Sequence, residues 1–199
     1  MSDSLRLLHG LESFLQSGQQ GTPAELGIQA HVLDSVIQIN LRGDGEDAHF
    51  LKGVEATLGQ AVPLVPNTVT IGEHHVYWLG PNEWLIVSTA TEASGLAAGL
   101  QGALMNQHVA INDISGGQVT VRLKGDKVRD TLSKGCSIDF HIDAFRPGDC
   151  AQSGLAKAGV LIGCIDRPNT VELIVRRSFA DYVAQWLQHA ARDVGIEFR

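Results

Sequence analysis

The feature that most constrains this chain is that its order of strands and helices occurs twice. Leu41-Arg42-Gly43-Asp44 returns as Leu123-Lys124-Gly125-Asp126, 82 residues on, and Lys52-Gly53 returns as Lys134-Gly135 at the same spacing. Pro81-Asn82, entering one β-rich run, returns as Pro168-Asn169 before another, now 87 residues on. Gly, Asp and Pro also recur in turns for local reasons, so the repeat rests on the elements between them. In the first copy, 28–32 and 36–41 read as strands, the second with the alternation Val36-Ile37-Gln38-Ile39-Asn40-Leu41. Gly43-Asp44-Gly45 is a turn, 46–58 a helix, 69–79 and 84–88 a strand pair, and 93–105 an Ala- and Leu-rich helix.

The second copy places strands at 109–114 and 118–123 about the Ser115-Gly116-Gly117 turn, then a helix at 126–133. An irregular stretch over 135–156 holds the five additional residues. Strands at 159–165 and 170–175 follow, and a helix over 178–194 with Ser178 as its cap. The expected fold is α+β: two related halves, about 28–106 and 107–199, each a small mixed or antiparallel sheet covered by helices on one side. Ahead of them, residues 1–27 form an arm. Leu5, Leu8, Leu11 and Leu15 set one short amphipathic helix. Such a helix is marginal alone in water, so the arm either frays or orders against a partner.

Charge and composition exclude several functions. The net charge is −7 and the basic residues are scattered, with Arg176-Arg177 the one adjacent pair. That is the wrong balance for nucleic acid or an anionic membrane. The apolar run from Ala158 to Ile165 has about eight residues, too few to span a bilayer. The start of the chain has no signal-peptide stretch. Three cysteines, Cys136, Cys150 and Cys164, form an odd set with no Cys-x-x-Cys pair, as expected for reduced thiols in the cytoplasm.

Chemistry-bearing motifs are sparse. Neither Gly-x-Gly-x-x-Gly nor Gly-x-x-x-x-Gly-Lys-Ser/Thr occurs, so no dinucleotide or ATP site of the usual kind is expected. Cys136, Asp139, His141, Asp143 and Cys150 lie close in sequence, but no second His or Cys pair completes a zinc set. His74 and His75 would point to opposite faces of a strand. A solvated loop is the reading for 136–150, against a thiol or metal enzyme using Cys136, His141 and Cys150. Trp78-Leu79-Gly80-Pro81-Asn82-Glu83-Trp84-Leu85 reads as a corner whose two tryptophans either pack into one core or face a partner. Arg146, in the long loop, fits a partner's carboxylate. Arg176 and Arg177 stand before a helix N-terminus, an unfavourable place for cations. Either water or an anionic partner satisfies them. Trp78, Trp84, Arg146, Arg176 and Arg177 are therefore the candidate subunit-contact residues, with no catalytic, cofactor or metal residue proposed.

Taken in order, several strings resemble the gamma subunit of heterotetrameric sarcosine oxidase. They are Trp78 to Leu85, Asp113-Ile114-Ser115, Gly135-Cys136-Ser137-Ile138-Asp139, Phe145-Arg146-Pro147-Gly148-Asp149-Cys150-Ala151-Gln152 and Arg177-Ser178-Phe179-Ala180-Asp181-Tyr182. The resemblance runs from about residue 28 to the C-terminus. Ile111-Asn112-Asp113-Ile114-Ser115 with Gly117-Gln118-Val119 is also similar to the Asp-Val-Ser strand-turn-strand of the folate-binding T-protein of the glycine cleavage system. That family's acidic pair falls near Gly163 and Cys164, so the carboxylate is missing and no folate site carries over. The resemblance implies a non-catalytic structural subunit of a complex that oxidises sarcosine to glycine. The one-carbon unit passes to tetrahydrofolate and hydrogen peroxide forms. FAD, FMN, NAD and tetrahydrofolate are implied in partner subunits, the partners being alpha, beta and delta chains. The competing reading is a stand-alone folate-binding protein of the T-protein superfamily. Lys134-Gly135-Cys136 matches a motif of some relatives there, without the Gly-Gln-Glu element that accompanies it.

Overall fold

The structure is a computed structural model that describes residues 11, 26–33, 36–89, 95–166 and 169–199. The helix expected over 5–15 lies outside the described residues apart from Leu11, which is buried in the core of the second sheet. The strands are β1 (Ile28–Val32), β2 (Ile37–Arg42), β3 (Val69–Ile71), β4 (His74–Gly80), β5 (Glu83–Ser88), β6 (Ala110–Asp113), β7 (Gln118–Lys124), β8 (Cys150–Leu155), β9 (Ala158–Cys164), β10 (Thr170–Arg176) and β11 (Ile196–Phe198). The helices are α1 (Ala48–Leu58), α2 (Leu96–Ala103), α3 (Val128–Ser133) and α4 (Ala180–Ala190).

Two sheets result. One has the order β3-β4-β5-β2-β6, the other β8-β9-β10-β7-β1-β11. The two orders correspond strand for strand, and β11 is an addition that pairs parallel with β1. The correspondence carries an exchange. β1 precedes β2 in the chain but pairs with β7, and β6 precedes β7 but pairs with β2. Each half thus gives its leading strand to the other's sheet. Neither sheet can be completed by one half alone.

Alternation along the strands decides the layers. One face of β2, β4 and β5 (Ile39, Leu41, Val76, Trp84, Ile86) packs on Phe50, Val54 and Leu58 of α1 and on Leu96 and Leu100 of α2. One face of β7, β9 and β10 packs on Val128 and Leu132 of α3 and Val183, Ala184 and Leu187 of α4. The opposite faces meet each other through Val69, Tyr77, Leu85 and Val87 on one side and Cys150, Leu161 and Ile174 on the other. The result is helix, sheet, sheet, helix, with three apolar layers. This is the α+β arrangement of helix-covered sheets expected from the sequence.

Local signals explain the elements. Asp47 caps α1 by accepting the His49 N–H at 2.8 Å, and Gly59 ends it at φ 67°, donating its N–H to the Glu55 carbonyl. Differences from expectation have physical causes. The stretch 135–156 is irregular only to Asp149, because Cys150–Leu155 pairs as an edge strand with β9. Alternating small and polar residues (Cys-Ala-Gln-Ser-Gly-Leu) hid it. Buried Arg129 fixes the preceding loop, donating to the Phe140 carbonyl and, at 2.8 Å, to the Phe145 carbonyl. Ser178 is not a helix cap: it sits inside a 3₁₀ turn, Arg177–Phe179, through which the chain enters α4. Val76 stands opposite Ile86, and Ile162 opposite Leu173. By that register, four of the five additional residues enter before β9 and one in the β9–β10 connection.

Gly125 holds φ 138°, and a Cβ there would lie 2.1 Å from the Gly27 carbonyl oxygen, where the exchanged strand β1 begins. Gly125→Ala therefore combines backbone strain with backbone overlap and should cost about 2–4 kcal/mol. Gly102, inside α2 with open space around it, should gain about 0.5–1 kcal/mol on change to Ala. Urea unfolding of both variants checks the pair.

Candidate functional site

The face where the sheets meet is not wholly apolar. Glu172, in the apolar run Thr170-Val171-Glu172-Leu173-Ile174-Val175, has no exposed surface. Sheet pairing forces it inward, so its charge must be met within the fold. Arg122 stands directly opposite on β7 and donates through Nε at 2.9 Å and through Nη2 to Glu172 Oε1. From the other sheet, the Tyr77 hydroxyl donates to Oε2, and His75 Nδ1 lies 3.0 Å from the same atom. Burial alone would raise the Glu172 carboxyl. The His75 and Tyr77 hydrogen bonds and the Arg122 charge outweigh it and hold the group below the usual glutamate range. Burial and the neighbouring carboxylate push the Tyr77 phenol well above its ordinary value, so it remains a donor. This cluster was missed by sequence reasoning. Its signal was available: a lone carboxylate between Val171 and Leu173-Ile174-Val175 in a buried strand requires buried partners.

A second contact crosses the sheets. Gln38 Nε2 donates to Thr120 Oγ1 at 2.9 Å. These residues are 82 apart, the repeat spacing, so they are equivalent positions of the two halves meeting each other. Tyr77 and Gly163 are likewise equivalent by strand register, and a Cβ on Gly163 would fall 2.5 Å from the Tyr77 ring. The halves are related by an approximate two-fold axis at this face.

The predicted contact residues differ in how far they are exposed. Trp84 is fully buried, tilted against Phe50 with ring centroids 5.5 Å apart, and its Nε1 donates to the Pro63 carbonyl at 2.8 Å. It is a packing residue and no partner can reach it, which corrects its assignment as a contact. Trp78, its cross-strand neighbour, is half-buried. Arg146 is exposed, its Nε donating to the Asp143 carbonyl at 2.9 Å. Arg176 is exposed at the end of β10. Arg177 is half-buried, with Nη1 3.5 Å from the Gly116 carbonyl oxygen.

The cysteine and acidic residues do not converge. Among the described residues no group of three His, Cys, Asp or Glu side chains could hold a metal ion. Asp139 Oδ1 accepts the His141 N–H at 2.8 Å, making 139–143 a solvated turn. All three cysteines are free thiols. Cys150 is 2% exposed, donates to the Thr68 carbonyl at 3.2 Å, and has its thiol pushed up to about 12 by burial. Cys136 is half-buried beside Ser153.

A cleft of about 410 Å³ opens between the sheets, lined among others by Asn40, Glu83 and Leu85 from one sheet and Gln118, Leu161 and Arg176 from the other. Asn40 Nδ2 and Arg42 Nη2 both donate to Glu83 Oε1, at 2.8 and 2.9 Å. Among the described residues, no helix is long and apolar enough to cross a membrane.

Glu172→Gln leaves the largely buried Arg122 guanidinium without its counter-charge and should cost about 3–5 kcal/mol in urea unfolding. Because the folded carboxyl sits below its unfolded value, its contribution is full above about pH 4.5 and is lost as pH falls through the folded pKa. The acid decline of the natural chain should therefore be steeper than that of the variant. In the folded chain, iodoacetamide at pH 8 should label Cys136 well before Cys150, and mass spectrometry of the labelled peptides reads the order.

Residues 42–193 match the sarcosine oxidase gamma subunit family. The sarcosine oxidase subunit gamma of Corynebacterium sp. (strain U-96) is 29% identical over 135 residues, 68% of this chain. That match spans 62% of the relative's own length. A solved heterotetrameric sarcosine oxidase from Corynebacterium sp. U-96 contains a chain that superposes with a TM-score of 0.81 at 23% identity, covering 94% of this chain and 93% of that one. The glycine cleavage system aminomethyltransferase T of Bartonella henselae shares the fold with a TM-score of 0.61 at 14% identity, over 87% of this chain and 48% of that one. With the match running through both halves of the repeat, this chain belongs to the sarcosine oxidase gamma subunit family.

Proposed function

We propose that this chain is a structural, non-catalytic gamma subunit of a heterotetrameric sarcosine oxidase. In that assembly alpha, beta and delta subunits carry FAD, FMN, NAD and tetrahydrofolate. The complex oxidises sarcosine to glycine, passes the one-carbon unit to tetrahydrofolate and yields hydrogen peroxide in the cytoplasm. The family match over 42–193 carries this reading.

The state of the chain's own reactive groups supports it. The Glu172 carboxylate is committed to three partners from two sheets. Tyr77 is locked as its donor, and the Cys150 thiol is held protonated. A general acid or nucleophile must exchange a proton with substrate near neutral pH, and these three groups are fixed in structural duties. What the chain offers is surface on a rigid support. Trp78, Arg146, Arg176 and Arg177 are the proposed contacts. The stand-alone folate reading is not favoured, since the stretch Ala156 to Cys164 brings no carboxylate where the T-protein pattern has its acidic pair.

Co-expression with flavin-bearing partner chains tests the assignment. The expected result is co-elution of this chain with a flavin-coloured complex that makes peroxide from sarcosine, while the purified chain alone makes none. Elution of this chain apart from every flavin subunit would contradict it.

A further inference from the structure

The repeat accounts for every strand but β11, and β11 marks a difference between the sheets. It runs along the outer edge of β1. Arg199 donates its N–H to the Ala30 carbonyl at 2.8 Å and accepts the Val32 N–H at 2.9 Å. The strand in the corresponding place of the other sheet is β6. Leu33 N–H donates to the Thr120 carbonyl, and Ile114 N–H to the Gln38 carbonyl. Gln38 and Thr120 are equivalent, so Ile111 and Asp113 correspond to Ala30 and Val32, and Val109 to Ile28. In an antiparallel pair alternate residues turn their backbone groups away from the partner strand. On β6 these are Ile111 and Asp113, and among the described residues nothing pairs with that edge.

The other edges are met or guarded. Val69 of β3 donates to the Gly148 carbonyl at 2.8 Å, and β8 is met by Asn67 at Cys150 and by Gly135 just past its end at Ala156. β11 carries the Glu197–Arg199 ion pair. The β6 run Val109-Ala110-Ile111-Asn112 has neither charge nor proline, and the Asp113 carboxylate is turned back onto the Ser115 N–H and hydroxyl. Burial follows the backbone. Beside β11, Ile28, Ala30 and Val32 are buried, whereas Val109 and Ile111, packed on the equivalent layer, are only half-buried. β11 completes its layer with Ile196 and Phe198, alternate residues on one face. We infer that the outer edge of β6 takes an extended segment of a partner subunit, added as a further strand with apolar residues at alternate positions. A second copy is the poorer occupant, because two chains of charge −7 repel. The inference deepens the assignment as an oxidase subunit and rests on it.

Hydrogen exchange of the full chain, free and in the co-expressed flavin-bearing complex, reads this edge. In the free chain the Ile111 and Asp113 amides should exchange faster than the Asn112 amide between them, which faces β2. In the complex both should slow by about a hundredfold or more. Ile111→Pro removes an outward N–H and leaves the bonds to β2 in place. It should weaken assembly by about tenfold or more relative to Ile111→Val, while the free variant still melts cooperatively. If the proline variant does not fold, exchange in the natural chain decides. Edge amides that exchange as fast in the complex as in the free chain overturn the inference and spare the oxidase assignment. Equal assembly of a folded proline variant also overturns it. So does a free chain that sediments as a dimer with those amides already protected, which gives the edge to a second copy. Failure of any complex to form defeats the oxidase assignment, and this inference falls with it.

Discussion

Everything in this fold depends on the two sheets being held face to face by groups that neither half can satisfy alone. Glu172 is the centre of that constraint. Its partners come from β7 in its own sheet and from β4 in the other, so the carboxylate is stable only when the halves are docked. The exchange of β1 and β6 acts in the same direction. Pulling the halves apart would strip a strand from each sheet as well as expose the apolar layer between them. A small chain thereby obtains one cooperative structure from two modest sheets.

The approximate two-fold axis explains why duplicated halves do not look alike at their contact. Where equivalent residues meet on the axis, as Gln38 meets Thr120, both can be small and polar. Where a large residue crosses the axis, its equivalent must give way, as Gly163 does for Tyr77. Symmetry is broken by volume: one site becomes a packed ion cluster and the other a cleft. Specialisation of the two halves is then a steric consequence of docking them.

Much of this was legible in the sequence, and the reasons for the remainder are specific. The repeat spacing of the turns marked strands that occupy corresponding places in the two sheets, and alternating apolar residues located most strands of both sheets. β8 escaped because an edge strand next to a loop buries too little to need an apolar face. β11 escaped because three residues carry no period. The strand exchange left no local trace, since pairing partners are set by docking and not by neighbours in the chain. The tryptophan corner shows the same limit: the string Trp78 to Trp84 marked a hairpin, but only the register shows which ring is covered by α1. Arg146, Arg176 and Arg177 were visible as cations in the sequence, whereas the partners of Glu172 appear only once the two sheets are docked.

Native-state hydrogen exchange on the full chain measures the central constraint directly. If the halves are one unit, the most protected amides of β2 and β5 open with the same free energy as those of β7 and β10, equal to that of global unfolding. Two separate plateaus, with one sheet opening while the other stays protected, would contradict the account.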